Sequence, residues 1–335
     1  MTGIKFLSTG VGLPENVLTN ADLEKMVETS DQWITERTGI KTRRIASDKQ
    51  ATSDFSIAAA RQALSRAGIA PETVDAVVVA TCTPDHLMPS VACLVQRALG
   101  LKNAFAFDLE AACSGFIFGL ACVNGLMRSG AAKTVLLIGA DTLSKFTDWT
   151  DRGTCVLFGD GAGAALLQAS DRDDNLLAVH LGSDGSFTDI LNIPGGGSRH
   201  PLQRSKNAPF TTGEVAGNFP PYIHMEGKEI FKNAVLRMAE AADSALKKCG
   251  KTSDDLRLLI PHQANLRIID AVAKRMKLGD DKVFRNVQKY GNMSAATTVI
   301  ALDEAVQGGV VKRGDLVELI AFGGGLTWGA AVLRW

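Results

Sequence analysis

Cys113, His262 and Asn292 are the residues whose types and surroundings could do chemistry together. Cys113 follows an apolar run, Ala104 to Leu109, that reads as a short buried strand carrying a single Asp. After Gly115 comes a glycine-spaced apolar run, Phe116 to Met127, that reads as a buried helix. A strand turning sharply into a helix sets Cys113 beside the helix N-terminus, where unpaired N–H groups and the positive dipole end favour a thiolate. Ala111, Ala112 and Gly115 leave room for something to approach the sulfur, as in a nucleophile elbow with sulfur replacing the serine oxygen. The other cysteines, Cys82, Cys93, Cys122, Cys155 and Cys249, read as small apolar core fillers.

His262 follows the strand Leu256 to Ile260 after a rigid Pro261, and Asn265 is placed to cap the next helix, Leu266 to Met276. Asn292 lies in a glycine-containing turn before a helix that starts near Ser294. All three residues sit at the C-terminal ends of strands or in strand–helix turns, where open α/β sheets place their ligands. Such a set supports two chemistries. In a cysteine protease the His is a base and the Asn orients it. In acyl transfer with carbon–carbon bond formation, both donate to a developing oxyanion. Gly323 to Gly325, after the strand Leu316 to Phe322, add backbone N–H groups that with that of Cys113 could form an oxyanion hole.

The elements that must position these groups alternate. Val74 to Thr81, Lys133 to Gly139, Thr154 to Phe158 and Gly161 to Leu167 read as strands; Asp31 to Gly39, Ser56 to Ala67, Ser90 to Leu99 and Lys228 to Lys248 read as helices. That alternation predicts an α/β protein. The second half also repeats the first. Ala76 to Thr81 parallels Arg257 to His262, and Cys113 parallels Ser294, both offset by 181; Gly161 to Leu167 parallels Thr327 to Leu333, offset by 166. The reading is an N-terminal half, 1–170, bearing the nucleophile, and a C-terminal half, 171–335, bearing His262 and Asn292. Between the halves, a Pro/Gly-rich polar stretch from Ile193 to Tyr222 reads as a loop or insertion.

The 335 residues are 46% hydrophobic and 21% charged, enough to bury a substantial core. Lys plus Arg equal Asp plus Glu at 36 each, which argues against general nucleic-acid binding. Six cysteines without a CxxC pair fit neither a disulfide framework nor a zinc site and favour a reduced, cytoplasmic setting. Met1 to Asn20 shows no secretory signal. The uncharged run Ala111 to Met127 approaches the length of a membrane span, but its polar residues and flanking Asp108, Glu110 and Arg128 favour a helix inside a water-soluble core.

The motifs SDQWITERTGI (30–40), AACSGF (111–116), TDRGT (150–154), FGDGAGAALL (158–167), PHQANLRI (261–268), GNMSAAT (291–297) and AFGGGLTWGA (321–330) together resemble those of β-ketoacyl–acyl carrier protein synthase III, a condensing enzyme of the thiolase-like superfamily. The resemblance covers nearly the whole chain. It implies a thiolase-like fold of duplicated βαβαβαββ halves in five layers, αβαβα, and a homodimer. It implies that Cys113 is acylated from an acyl-coenzyme A. His262 and Asn292 would then hold the thioester carbonyl of malonyl–acyl carrier protein as it loses CO₂. The backbone N–H groups of Cys113 and Gly325 would bind the acyl oxyanion. Trp33 and Arg152 would sandwich the adenine of coenzyme A, a substrate and not a cofactor, while Arg37 and Asn265 would touch the rest of it. Arg267, Lys274 and Arg275 would offer a basic face to the acidic carrier protein. Met88 stands where the family closes the acyl pocket across the dimer and the short-chain enzymes have Phe, which suggests primers longer than acetyl. The stretch Gly195 to Pro221 is longer than the family's short forms. Neither a metal nor another cofactor is expected. A related condensing enzyme of a specialised pathway, a Cys-His-Asn hydrolase and a silent coenzyme A binder are the competing readings.

Overall fold

The computed structural model describes residues 3–172, 174–201 and 219–335; most of the Gly195 to Pro221 stretch, residues 202–218, lies outside them. The first half runs β1 (Gly3–Gly12), β2 (Val17–Thr19), α1 (Asn20–Leu23), α2 (Asp31–Thr38), β3 (Thr42–Arg44), α3 (Thr52–Ala67), β4 (Ala76–Ala80), α4 (Val91–Leu99), β5 (Phe105–Leu109), α5 (Gly115–Arg128), β6 (Thr134–Thr142) and β7 (Asp160–Ser170). The second runs β8 (Leu176–Ser183), β9 (Leu191–Asn192), β10 (His224–Met225), α6 (Gly227–Lys248), β11 (Leu258–Pro261), α7 (Leu266–Arg275), α8 (Val287–Tyr290), α9 (Thr297–Gln307), β12 (Leu316–Gly323) and β13 (Thr327–Arg334).

Two sheets organise these elements. One has the order β1-β7-β6-β4-β5 and the other β11-β12-β13-β8. The period of two in the strands decides what each sheet faces. Ala76 and Val78 point inward with Val135 and Leu137, onto Phe116, Ile117 and Leu120 of α5 and Val299 and Leu302 of α9. Val77, Val79, Leu136 and Ile138 point outward onto α3 and α4. In the second sheet Val317 and Leu319 join the inner core, while Leu259, Ile320 and Phe322 pack outward on α6 and α7. The layers are therefore α-β-α-β-α, with α5 and α9 buried between the sheets. This explains why the Phe116 to Met127 run is apolar on nearly every side, with Asn124 near its open end the exception. Among the described residues no helix is long and apolar enough to cross a membrane.

The halves match strand for strand. Ala76 pairs with Val135 as Leu258 pairs with Val317, which sets the offset at 182, one more than the sequence suggests. Thr134 faces Gln168 as Leu316 faces Arg334, which gives the expected 166 between β7 and β13. A lone parallel bridge, Leu259 to Val283, stands where β5 stands in the first sheet.

Three expectations are corrected. Residues 154–158 are turns, because only Phe158 finds a partner, bridging to Asn292. β5 is not buried: it is the edge strand, half exposed, and its Asp108 accepts from Val91 N at 2.7 Å and Ala92 N at 2.9 Å to cap α4. Cys113 corresponds to Ala295 and not to Ser294, since the turns Ala112–Ser114 and Ser294–Ala296 lead into α5 and α9 in the same register.

Candidate active site

The elbow before α5 is a strained turn. Ala112 takes φ 44°, in the left-handed region that a residue with a Cβ rarely enters. Its N–H donates to Glu110 Oε1 at 2.8 Å, and Thr327 Oγ1 on β13 donates to Ala111 O at 3.0 Å. The turn that carries Asn292 is built the same way: Ser294 takes φ 48°, and its N–H donates to Asn292 Oδ1 at 2.9 Å. Since a backbone N–H can only donate, this bond fixes the amide with its NH₂ end free to act as a donor. Gly323 lets β12 approach the elbow, for a Cβ there would lie 2.6 Å from Cys113 N.

His262 is anchored by its own N–H, which donates to Ile320 O at 2.7 Å, and by Gln263, which bridges Pro261 O and Asn286 N. Its Nδ1 lies 2.6 Å from Thr297 Oγ1, at the start of α9. Burial pushes the imidazole down to about 3, so it is neutral across the physiological range.

These side chains meet. One cavity of about 890 Å³ is lined by Cys113, His262, Asn292 and Gly325, and also by Trp33, Arg37 and Asn265. Its walls are largely apolar, with Leu191, Met225, Ile230, Phe231 and Met238 on the α6 side. At its mouth the guanidinium groups of Arg37 and Arg152 lie 5.5 and 5.4 Å from the Trp33 ring centroid. Arg152 therefore rests against the ring and leaves no gap for a third group between them. Asn265 caps α7 through Arg267 N at 2.9 Å and donates to Arg37 O at 3.1 Å. Arg267, Lys274 and Arg275 are exposed on α7, and Arg267 lies 5.8 Å from the ring of the cavity-lining Phe231. Met88 is outside the cavity and 84% exposed, beside an equally exposed Leu87.

Two sequence readings change here. Burial pushes the Cys113 thiol up to about 12, with the Ser294 hydroxyl easing it only partly, so the resting group is a thiol despite the helix N-terminus. Cys82 is not core filler, because it lines the cavity with its Sγ 3.4 Å from Asp141 Oδ1; of the other four only Cys155 is fully buried. Thr297 and Asp141 are the residues that sequence reasoning missed. Thr297 closes the GNMSAAT motif, one helical turn past Ser294, and that spacing is its only signal. Asp141 has none, sitting at the end of a hydrophobic strand until the fold brings the 81–83 turn to its carboxylate.

Comparison with known proteins agrees with this geometry. Residues 107–185 match the family model of 3-oxoacyl-[acyl-carrier-protein] synthase III, and residues 246–335 match the model of its C-terminal part. The beta-ketoacyl-[acyl-carrier-protein] synthase III of Natranaerobius thermophilus is 49% identical, with all of both chains covered. That of Caldanaerobacter subterraneus is 51% identical over 98% of this chain and 97% of the other. The crystal structure of 3-oxoacyl-[acyl-carrier-protein] synthase III from Aquifex aeolicus superposes with a TM-score of 0.89 at 48% identity, covering 99% of this chain and 100% of that one. The chain belongs to the β-ketoacyl-[acyl-carrier-protein] synthase III family.

Proposed function

We propose that the protein condenses an acyl-coenzyme A with malonyl–acyl carrier protein, with loss of CO₂, as the first step of fatty-acid synthesis. The observation that carries this reading is the single cavity holding a thiol, a neutral buried imidazole, an amide donor and Gly325. In the first half-reaction the Cys113 sulfur attacks the acyl carbon, and a new S–C bond replaces the one to coenzyme A. The thiol proton leaves on the departing sulfur as coenzyme A. The developing oxyanion is held by the N–H groups of Cys113 and Gly325. In the second, the malonyl carbonyl takes hydrogen bonds from His262 and Asn292. The C–CO₂ bond breaks, its electrons form an enolate, and the enolate carbon displaces Cys113 from the acyl group as a thiolate, which takes a proton from solvent to return to the resting thiol. A neutral imidazole is the right species here, since it donates a hydrogen bond without adding a buried charge.

Trp33, Arg37, Arg152 and Asn265 serve as the coenzyme A contacts; for adenine to stack on Trp33, Arg152 must lift off the ring. Arg267, Lys274 and Arg275 serve as the carrier-protein face. The free edge of β5, with Phe105 42% exposed, supports a homodimer in which two β5 edges adjoin. The exposed Met88 would then reach the partner's acyl pocket and admit primers longer than acetyl. A cytoplasmic location and the division into halves at residue 170 belong to the same proposal.

Intact-mass measurement with acyl-coenzyme A of increasing length tests the reading. A stable adduct on Cys113, turned over by malonyl–carrier protein to a β-keto product, is expected. Cys113→Ala should abolish the adduct, while His262→Ala and Asn292→Ala should keep it and lose decarboxylation. Turnover by water alone would select a hydrolase. A sharp preference for C2, with none at C4 or above, would defeat the Met88 assignment.

A further inference from the structure

Arg43 is a fully buried cation, 0% exposed, and forms no ion pair with a carboxylate among the described residues. Its Nη1 donates to Asn20 Oδ1 at 2.8 Å and to Leu18 O at 3.4 Å, and its Nη2 to Val156 O at 2.7 Å, while Nε has no partner among the described residues. Burying a charge among dipoles is costly, and an apolar side chain of similar length would fill the same space more cheaply. An apolar residue could not hold two separate pieces of chain at a fixed separation, which the planar guanidinium fork does.

What the fork joins are the parts of the active site. On one side, Asn20 passes the contact on: its Nδ2 donates to Asp31 Oδ1 at 2.7 Å in the first turn of α2, the helix that carries Trp33 and Arg37. On the other side, Val156 belongs to the segment that brings Arg152 over the Trp33 ring. The same segment then pairs with the catalytic turn, Asn292 N donating to Leu157 O and Gly159 N to Asn292 O, both at 2.9 Å. The Arg43 stem lies between the two glycines that flank this pairing; a Cβ on Gly159 or on Gly291 would come 3.3 Å from Arg43 Cβ. We propose that Arg43 is a positioning residue, setting both the width of the Trp33–Arg152 slot and the depth at which the Asn292 amide meets the substrate carbonyl. Cys113 hangs on other elements, the elbow before α5 and β12, and meets the Asn292 turn through the Ser294 hydroxyl.

The inference rests on the condensation reading and makes a split demand on the two half-reactions. Arg43→Lys keeps the charge and most of the volume but replaces the fork by a single point. At saturating acyl-coenzyme A this variant should still load Cys113 completely by intact mass, at a rate within about twofold of the parent. Its KM for acyl-coenzyme A should rise about fivefold or more, and malonyl decarboxylation by the loaded enzyme should fall about tenfold, as expected when a positioned donor is displaced. Asn20→Ala removes the fork's acceptor on the α2 side together with the bonds to Asp31 and Ile40 O and leaves the Val156 side in place; it should raise the KM and lower decarboxylation less than the lysine variant does, and it serves if that variant does not fold. Fully loaded Arg43→Lys enzyme with both constants within twofold of the parent overturns the proposal. So does a uniform fall of all rates in proportion to the folded fraction, which would mark simple structural support. For Asn20→Ala, an unchanged KM overturns it. Parent enzyme that never loads Cys113 defeats the condensation reading itself, a result distinct from any of these.

Discussion

Removing the hydroxyl of Thr297 should separate the two half-reactions, because that hydroxyl acts on one face of one imidazole. It has a single hydrogen and two groups in reach, Ser294 O at 3.0 Å and His262 Nδ1 at 2.6 Å, the second an acceptor only in the Nε2–H tautomer. Given to Nδ1, the hydrogen leaves Nε2 as the protonated nitrogen, which is the donor the malonyl carbonyl requires. Thr297→Val keeps the shape of the side chain, so no cavity opens, but leaves a buried ring nitrogen without a partner. Such a loss costs about 1–3 kcal/mol, which corresponds to roughly 5- to 150-fold in a rate. If that cost falls on the donor tautomer, decarboxylation of malonyl–carrier protein should drop by a factor in this range. Acylation of Cys113, which does not need the donor, should change by less than about threefold on the same basis. Thr297→Ser should restore most of the activity. The assay is CO₂ release by enzyme loaded beforehand and verified by intact mass. Decarboxylation at the parental rate in Thr297→Val would refute the reasoning, as would an equal loss in both half-reactions.

Other outcomes follow from groups already described. His262 is held neutral by burial, from an ordinary value of 6.5 down to about 3, so its contribution to stability is intact above pH 6.5 and is lost as pH falls towards 3. The full span amounts to at most about 5 kcal/mol, and His262→Gln should move the midpoint of acid unfolding to lower pH; unchanged midpoints would contradict this. Glu318 lies fully buried on β12 with both carboxyl oxygens unpartnered among the described residues, and burial raises it well above its usual 4.5. Stability should therefore erode as pH rises above 4.5, and Glu318→Gln should raise the melting temperature by about 2 °C or more, with a larger gain at alkaline pH. A gain that shrinks with rising pH would be the wrong sign. Trp33→Ala should raise the KM for acyl-coenzyme A about tenfold, the worth of one stacked base, with kcat little changed; a loss confined to kcat would place Trp33 elsewhere in the reaction.

The chemistry was legible because each reacting residue announces itself locally. Cys113 sits between a strand and a glycine, His262 ends a strand behind a proline, and Asn292 precedes a helix. The strand from Ala76 to Ala80 was equally plain, and in the fold Val77 and Val79 face one way and Ala76 and Val78 the other, as period two demands. What the sequence hid depends on distance along the chain. Nothing near Phe105 says that its strand lies at a sheet edge, since strand order is set by pairings far away. Residues 154–158 are as β-branched and apolar as a strand, yet they turn because their partner is one residue long. The thiol's protonation was misread because a helix N-terminus is visible locally, whereas the burial that outweighs it comes from both halves. Arg43 carries no local mark either, since the groups that enclose it come from around residues 20, 156, 159 and 291.

The duplication also shows how differently the two halves are furnished at equivalent places. Where Gly323, without a side chain, lies close against the nucleophile's amide in one copy, the 182-residue register puts Asp141 in the other, and its carboxylate accepts from Ala295 N at 3.3 Å. Where His262 meets Thr297, the opposite copy sets Ala80 against Gly115. One half thus sets a carboxylate in the place that its counterpart leaves clear beside the reacting sulfur.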